Sequence, residues 1–253
     1  MPPLLHMMRS AVRATPERSL HLYLMHTSLS PETLAGFAQQ AGQVGFGVTP
    51  IQMDDTLLAD APVTKQFPKE MYFRLFAAQA LPQELDRVLY LDPDLVVLRS
   101  LSLLYDLELG EHLLAAADHM NEYTQVIHNL RLETPLKSAY INSGVLLMNL
   151  RLLRQEQDMA AVFAYIRENH TRLKLPDQDV INALYSSRIL VLDPMVCNFD
   201  ARYFGILEKL GRVDVQWLLD HTVVLHFCGK QKPWKESYGR KRLKVLWQCA
   251  AAF

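Results

Sequence analysis

The stretch RVLYLDPDLVVLRSL, Arg87–Leu101, places two carboxylates inside an apolar run. Val88–Leu91 and Leu95–Leu98 both have the composition of a buried strand, and an Asp-Pro-Asp tripeptide separates them. Ligands of open α/β sheets bind at the carboxyl ends of strands, so Asp92 and Asp94 are candidates to converge on one cation. The alternative is an ordinary turn, for which Asp-Pro-Asp has suitable chemistry. The apolar flanks weigh against that alternative, because uncompensated carboxylates at a buried strand end are costly.

On both sides of this stretch the chain alternates between strand and helix patterns. Residues 19–29 and 43–53 have strand character, whereas residues 30–42 and 69–82 have helical spacing of their apolar positions. Residues 140–155 begin as an apolar strand and change to a helical pattern near Leu150. This alternation predicts an α/β fold in which helices flank a mixed, mostly parallel sheet.

The composition excludes several classes of protein. Half of the 253 residues are hydrophobic and 21% are charged, which allows a large core. The formal net charge of -1 argues against nucleic acid as a partner. Three cysteines without ligand spacing argue against a disulfide framework and favour a reducing compartment. No apolar run is long enough to span a bilayer, and the first residues lack the apolar stretch of a signal peptide.

Two further polar clusters lie at element boundaries. Asn142–Gly144 precede a strongly apolar strand, where a small, glycine-containing segment allows a ligand to approach the backbone. The alternative is a simple turn that starts the strand. Asp177–Asp179 lie at a predicted helix start, where the helix dipole favours carboxylates for structural reasons alone. Gln178 is the residue that this structural explanation accounts for least.

His226 ends another apolar strand and is followed by Gly229, Lys232 and Trp234. A lone histidine on a strand is more often structural than a ligand. A histidine at a strand end, with glycine and lysine after it, also suits a metal ligand beside a phosphate site.

Together, and in this order, these motifs resemble glycosyltransferase family 8. The resemblance runs through YFRL, RVLYLDPDLVV, YINSGVLLMNL, DQDVIN and HFCGKQKPW, and it covers most of the chain. It implies a Rossmann-like GT-A type fold and a retaining, metal-dependent transferase that takes glucose or galactose from a UDP-sugar. The implied acceptor is a glycan or a lipid-linked saccharide of lipopolysaccharide or another cell-surface polysaccharide.

The resemblance also implies a role for each matching residue. Asp92, Asp94 and His226 hold a divalent ion, Mn²⁺ or in its place Mg²⁺, against the donor diphosphate. Asp92 is implied to contact the donor as well. Gly229 and Lys232 belong to the loop that closes on that diphosphate. The positions implied to line the donor sugar are Arg74, Asp118, Asn142, Gly144, Asp177 and Gln178.

The family places an amide, here Gln178, near the anomeric carbon, with Asp177 beside it. An amide is a poor nucleophile, whereas retaining glycosidases use a carboxylate. We therefore favour attack on the same face of the sugar, in which the departing phosphate helps to deprotonate the acceptor. Asp177 or Asp179 as a transient nucleophile is the alternative.

The sequence departs from the family pattern at its start. The family's first strand, which contacts the nucleoside, is absent from this sequence, which begins at the helix that follows. We expect a gap in the sheet and weak nucleotide binding as a result. This departure keeps a second hypothesis open, a degenerate member that binds glycans or partners without catalysis. A metal hydrolase is a third hypothesis, although no further His or Glu motif supplies a base.

The chain is expected to divide into a catalytic domain, residues 1–235, and a basic tail or helix, residues 236–253. In residues 230–253, lysines and arginines are interleaved with Trp234, Tyr238 and Trp247, a composition that suits a weak peripheral contact with an anionic membrane. The alternative is a C-terminal helix that packs Leu243, Leu246 and Trp247 on the domain. The expected location is the cytoplasm, including the inner face of the membrane.

Overall fold

The computed structural model describes residues 2–54, 56, 68–118, 122–135 and 137–251. The strands are, in chain order, β1 (Leu20–His26), β2 (Phe46–Gln52), β3 (Arg87–Leu91), β4 (Leu95–Val97), β5 (Leu114–Ala117), β6 (Val145–Asn149), β7 (Ile189–Leu192), β8 (Phe199–Asp200) and β9 (Val224–His226).

The helices alternate with these strands. They are α1 (Pro2–Ala14), α2 (Pro31–Gln43), α3 (Ala77–Ala80), α4 (Ser102–Tyr105), α5 (Glu122–Leu132), α6 (Leu150–Glu156), α7 (Met159–Asn169), α8 (Pro176–Tyr185), α9 (Pro194–Cys197), α10 (Phe204–Lys209), α11 (Val215–His221) and α12 (Lys241–Ala251), with 3₁₀ helices at Lys69–Phe76 and Ser186–Arg188. Residues 69–82, predicted as one helix, thus form a 3₁₀ helix and then the single turn α3.

The described strands form three sheets. One sheet has the order β3-β6-β5-β7, a second has the order β4-β9-β8, and β1 pairs with β2 alone. The pairs β1–β2, β5–β7 and β8–β9 are parallel, whereas β3–β6, β5–β6 and β4–β9 are antiparallel. The fold is mixed α/β as predicted, but antiparallel pairs are as frequent as parallel ones among the described strands. The main reason is that β6 runs antiparallel between β3 and β5.

The centre of the molecule is apolar. All five residues of β6 are buried, and β5 is a buried run of Leu and Ala. Strands that are buried on both faces have such continuous apolar sequences because helices cover the sheet on each side. The predicted change from strand to helix at Leu150 is confirmed, since α6 starts there with Asn149 as its N-cap.

The quoted stretch does not form one strand. β3 ends at Leu91 in the four-stranded sheet, and β4 begins at Leu95 in the three-stranded sheet. The Asp-Pro-Asp tripeptide connects the two sheets. Its proline interrupts the strand, because proline has no N–H to donate to a neighbouring strand. Asp92 and Asp94 therefore lie at the point where the chain passes from one sheet to the other.

A gap in the sheet was expected from the sequence. An apolar cleft of about 360 Å³ lies between β1 and β3, with Leu20–Tyr23 and Arg87–Leu89 among its lining residues. No described strand pairs with either of the two edges that border this cleft.

The end of the described chain packs on the domain. Leu243 and Trp247 of α12 are buried, and Leu246 packs on the same cluster. The C-terminal helix thus packs on the domain, as in the alternative that was set against membrane contact. Within the described ranges, no helix combines the length and the apolar character required to cross a bilayer.

Candidate functional site

Asp92 is fixed by its neighbours on β3 and β6. Its backbone N–H donates to the carbonyl of Gly144 at 2.8 Å, which extends the β3–β6 ladder by one residue. Its Oδ1 accepts from the hydroxyl of Tyr90 at 2.7 Å and from the guanidinium of Arg74 at 3.1 Å. The Arg74 guanidinium lies over the Tyr90 ring, 4.2 Å from its centroid. The other carboxylate oxygen of Asp92 faces His226.

Asp94 and His226 meet because β4 and β9 pair with Leu95 opposite His226. His226 Nε2 lies 3.2 Å from Asp94 Oδ1 and 3.7 Å from Asp92 Oδ2. The Lys232 ammonium contacts the other oxygen of Asp94 and donates to the Phe227 carbonyl at 2.9 Å. Burial opposes ionisation of Asp94, but His226 and Lys232 outweigh that burial and hold the pKa of Asp94 below its usual range.

These three side chains fit a divalent cation. One ligand atom from each of Asp92, Asp94 and His226 lies within 4.8 Å of the others. Two carboxylates and one imidazole suit a divalent ion of the manganese type. His226 Nδ1 lies 3.0 Å from Asn198 Oδ1, so Asn198 orients the ring and leaves Nε2 facing the carboxylates. Metal-bound histidines commonly use such a partner.

Gly144 makes room for this cluster. A Cβ atom at this position would lie 2.2 Å from His226 Cε1 and 2.7 Å from Asp92 Oδ2. Asn142 Oδ1 accepts from the Gly144 N–H at 2.9 Å and from the Asn198 side chain at 3.0 Å. The predicted polar strand entry thus lies directly behind the side chains of Asp92 and His226.

Arg74 links Asp92 to a second carboxylate. Its guanidinium lies 3.1 Å from Asp177 and also donates to the Ser143 carbonyl at 2.7 Å. The Ser143 hydroxyl donates to Asp177 at 2.9 Å. Burial raises the pKa of Asp177, although the charge of Arg74 acts in the opposite direction. Asp177 therefore lines the cleft as one half of a buried ion pair.

Gln178 is held at one end and left without a partner at the other. Its Oε1 accepts from the Ser143 N–H at 3.1 Å. Its Nε2 is buried and has no hydrogen-bond partner among the described residues. Gln178 lines the same cleft as Asp92, Asp94 and His226. A buried donor without a partner costs free energy, which makes this nitrogen a candidate to bind a ligand.

Asp179 is not among the residues that line the cleft, which speaks against the alternative of Asp179 as a nucleophile. Its side chain is fully buried and accepts from both ends of the Arg131 guanidinium at 2.7 Å. It also accepts from the Tyr140 hydroxyl and from the Lys174 N–H. All of these contacts anchor the start of α8, so the role of Asp179 is structural.

The cleft at this site has a volume of about 1010 Å³. Of the residues predicted from sequence, the following line it: Arg74, Asp92, Asp94, Asn142, Asp177, Gln178, His226, Gly229 and Lys232. Gly229 has a φ of 82°, a conformation that favours glycine. Asp118 instead lines a small neighbouring cavity with Asn142 and Cys228, and it accepts from Gln125 at 3.1 Å.

The sequence reasoning missed several residues of the site. Asn198 and Tyr90 contact candidate metal ligands, and Arg202 and Tyr203 line the cleft. Tyr90 lies within the quoted strand, two residues before Asp92, where its alternation with Asp92 could have indicated a shared face. Asn198 gives no such signal, because it reaches His226 only through the pairing of β8 with β9.

The sequence of the chain is similar to those of known proteins. The model of the family described as glycosyl transferase family 8 matches residues 1–237. The lipopolysaccharide 1,3-galactosyltransferase of Salmonella typhimurium is 28% identical over 232 residues, which are 89% of this chain and 67% of that protein. The lipopolysaccharide 1,2-glucosyltransferase of Escherichia coli K12 is 26% identical over 216 residues, 85% of this chain and 64% of that protein. The chain thus spans about two thirds of the length of these two relatives.

A solved structure shares the fold over almost the whole chain. The galactosyltransferase LgtC, in complex with donor and acceptor sugar analogues, superimposes with a TM-score of 0.82 at 22% identity. The match covers 98% of this chain and 91% of that protein. It shows the Rossmann-like GT-A type fold that the sequence predicted. Another structure of LgtC is that of an active-site mutant in which glutamate replaces glutamine.

Proposed function

Because the chain belongs to glycosyltransferase family 8, we propose that it moves a hexose from a UDP-sugar to a saccharide acceptor with retention of configuration. The observation that carries this proposal is the convergence of Asp92, Asp94 and His226 in a cleft that Gln178 also lines. A transferase of this kind needs to neutralise a diphosphate and to position a sugar, and the cleft has groups for both tasks.

Asp92, Asp94 and His226 would hold the divalent ion, with Mn²⁺ as the proposed metal and Mg²⁺ as a substitute. The ion supplies a Lewis acid that neutralises charge on the leaving diphosphate. Lys232 adds a second positive charge at the same place, and its present contact with Asp94 keeps it within reach of that group. Gly229 belongs to the same loop and would approach the diphosphate through its backbone.

The donor sugar would lie between α8 and β6. Arg74, Ser143 and Asp177 form one connected wall there, which can orient sugar hydroxyl groups. Asn142 lines the same cleft, and Gly144 and Asp118 remain proposed donor-site residues. Among the described residues of this wall, Gln178 Nε2 is the buried donor that meets no acceptor at hydrogen-bond distance, so we assign it to the reacting end of the sugar.

For the chemical step we favour attack on the same face of the sugar. Asp177 is an unsuitable nucleophile because its carboxylate is engaged by Arg74 and Ser143. Gln178 is a neutral amide and a poor nucleophile. The acceptor hydroxyl would therefore lose its proton to an oxygen of the departing phosphate as the bond between the anomeric carbon and that phosphate breaks, while the Gln178 amide N–H would donate to an oxygen of the donor and hold the anomeric carbon in place.

The relatives named as lipopolysaccharide glucosyl- and galactosyltransferases support glucose or galactose as the sugar. They also support an acceptor that is a glycan or a lipid-linked saccharide of the cell surface. We further propose that the protein acts in the cytoplasm. We retain residues 1–235 as the proposed catalytic domain and residues 236–253 as its C-terminal extension.

The test is a transfer assay with radiolabelled UDP-glucose and UDP-galactose, with and without truncated lipopolysaccharide core as acceptor. We expect metal-dependent release of UDP and labelled product with one of the two donors, and neither in Asp94→Ala. Asp106→Ala serves as the control, because it removes an exposed carboxylate that is not part of the proposed site. Donor binding without any turnover would instead support a degenerate, non-catalytic member of the family.

A further inference from the structure

Arg202 lies in the cleft but takes no part in the proposed transfer step. It follows β8, two residues after Asp200, which pairs with His226 in the β8–β9 ladder. Arg202 lines the same cleft as Asp92 and Asp94. Its side chain is 45% exposed, so a ligand that enters the cleft can reach it.

Asp200 holds the Arg202 guanidinium from one side. Arg202 Nε lies 2.8 Å and Nη2 lies 2.5 Å from Asp200 Oδ2, and the Arg202 backbone N–H donates to Oδ1 at 2.9 Å. In the described part of the chain, the remaining nitrogen, Nη1, meets no acceptor at hydrogen-bond distance. A guanidinium that is fixed at one end and open at the other is preorganised to bind an oxyanion.

Further positive charge lies beside this open end. Nη1 is near the loop that follows β9, since a Cβ atom at Gly229 would lie 3.9 Å from it. Lys230 in that loop and Lys235 after it are exposed and also line the cleft. Within the described residues, no carboxylate forms an ion pair with either lysine.

The carboxylates of the cleft are deeper and already paired. Asp92 and Asp177 pair with Arg74, and Asp94 pairs with Lys232. None of these three carboxylate side chains is more than 23% exposed. The exposed lining of the cleft is therefore positive, although the whole chain has a formal net charge of -1.

The donor does not account for this exposed charge, because the ion and Lys232 meet its diphosphate in the proposed function. The acceptor has to enter the same cleft beside the donor, so its own charge meets the exposed lining. We propose that the acceptor saccharide carries a phosphate group and that Arg202 Nη1 binds this phosphate, with Lys230 and Lys235 adding to the attraction. Three cations suit a doubly charged phosphate better than a single carboxylate. This inference rests on the proposed function, since it names the class of acceptor.

The test is calorimetric titration of the full chain in the presence of Mn²⁺. The saccharide probes are the phosphorylated core oligosaccharide of lipopolysaccharide and the same oligosaccharide after hydrofluoric acid has removed its phosphate esters. UDP is titrated separately as the probe of the donor site. The variants are Arg202→Gln and the double variant Lys230→Gln with Lys235→Gln. The matched control is Lys209→Gln, which removes an exposed cation that does not line the cleft.

We expect the original chain to bind the phosphorylated saccharide roughly tenfold more tightly than the dephosphorylated one. This preference should vanish in Arg202→Gln, shrink in the double lysine variant and persist in Lys209→Gln. The affinity for UDP should change by less than about twofold in each variant. The two lysines are exposed and unpaired in the described structure, so the double variant decides the question if Arg202→Gln does not fold.

Equal binding of the two saccharides by the original chain, or no binding of either, would overturn the proposal. A fall in UDP affinity in Arg202→Gln with an unchanged preference between the saccharides would also overturn it, because Arg202 would then bind the donor diphosphate. Transfer from the two UDP-sugars is measured in parallel. A preference for the phosphorylated saccharide without any transfer would contradict the proposed function and leave the phosphate site in place.

Discussion

Gly144 shows how one residue without a side chain determines the position of three others. Its missing Cβ leaves space for the His226 ring and the Asp92 carboxylate. In Gly144→Ala we expect metal affinity to fall by roughly tenfold or more, because both ligands must move. Gly36→Ala is the control, since nothing lies within 4 Å of a Cβ there and alanine favours the α2 helix. Calorimetric titration with Mn²⁺ measures both variants. Equal affinity in both would show that the ligands do not depend on Gly144.

Gln178→Ala tests the amide that has no partner in the structure. We expect kcat to fall by roughly 10²–10³, with a much smaller change in KM, because the amide is assigned to the transition state. Steady-state kinetics with the preferred donor measure both constants. Gln79→Ala, on an exposed side chain, is the control and should leave both unchanged. An unchanged kcat in Gln178→Ala would remove this residue from the chemical step.

Individual site residues could be predicted from the sequence where they belong to a recognisable motif. Asp92, Asp94 and His226 were named from the sequence because their positions match a family pattern and lie at strand ends. Their approach to one another depends on the β4–β9 register, which no local pattern encodes. The distinction between Asp177 and Asp179 was not predictable either. Both suit a helix start, and only the position of Arg131, 48 residues away in the chain, identifies Asp179 as structural.

The start of α8 depends on the buried ion pair between Arg131 and Asp179. Their side chains are 13% and 0% exposed. In Asp179→Asn we expect the free energy of unfolding to fall by about 3–5 kcal/mol, because an uncompensated guanidinium remains buried. In Glu156→Gln the loss should stay below about 1 kcal/mol, since that pair with Arg188 is more than one third exposed. Urea denaturation measures both. Similar losses in the two variants would contradict the structural role of Asp179.

The helix α12 tests the two predictions for the C-terminal segment. Trp247 stacks on His6 at 4.0 Å and meets Phe227 edge to face at 5.5 Å. Trp247→Ala should lower the free energy of unfolding by about 3–5 kcal/mol, and exposed Val245→Ala by less than about 0.5 kcal/mol. We also expect no sedimentation of the original chain with anionic vesicles at low salt. Binding that is lost in a fully stable Trp247→Ala variant would instead support a membrane anchor.

The elements that sequence patterns predicted best are those with strong local signals. Ser30 and Pro31 marked the start of α2, and the side chain of Ser30 indeed accepts from the Thr33 N–H. The predicted helix at residues 69–82 lacked such signals inside it, and its first part is a 3₁₀ helix. The division of the quoted stretch between two sheets was not foreseen, because both halves have the same apolar composition.

Binding of the ion together with the nucleotide should stabilise the whole folded molecule against thermal unfolding. A ligand that binds only the folded chain at about 100 times its dissociation constant adds about 2.7 kcal/mol. We therefore expect Mn²⁺ with UDP to raise the midpoint of unfolding by roughly 5–10 °C, and UDP with EDTA to raise it little. In Asp94→Ala the increase should be absent, whereas Asp106→Ala should retain it. A full increase in Asp94→Ala would contradict the assignment of the metal ligands.

The junction at Asp-Pro-Asp has a consequence beyond the site itself. Asp92 follows a strand of the four-stranded sheet, whereas Asp94 and His226 belong to the three-stranded sheet, and their ligand atoms still meet within 4.8 Å. Affinity for the ion therefore depends on the relative position of the two sheets. A packing defect far from the cleft, in either sheet, would register as weaker ion binding before the chain loses its fold. Ion titration can thus rank core variants by the quality of their assembly.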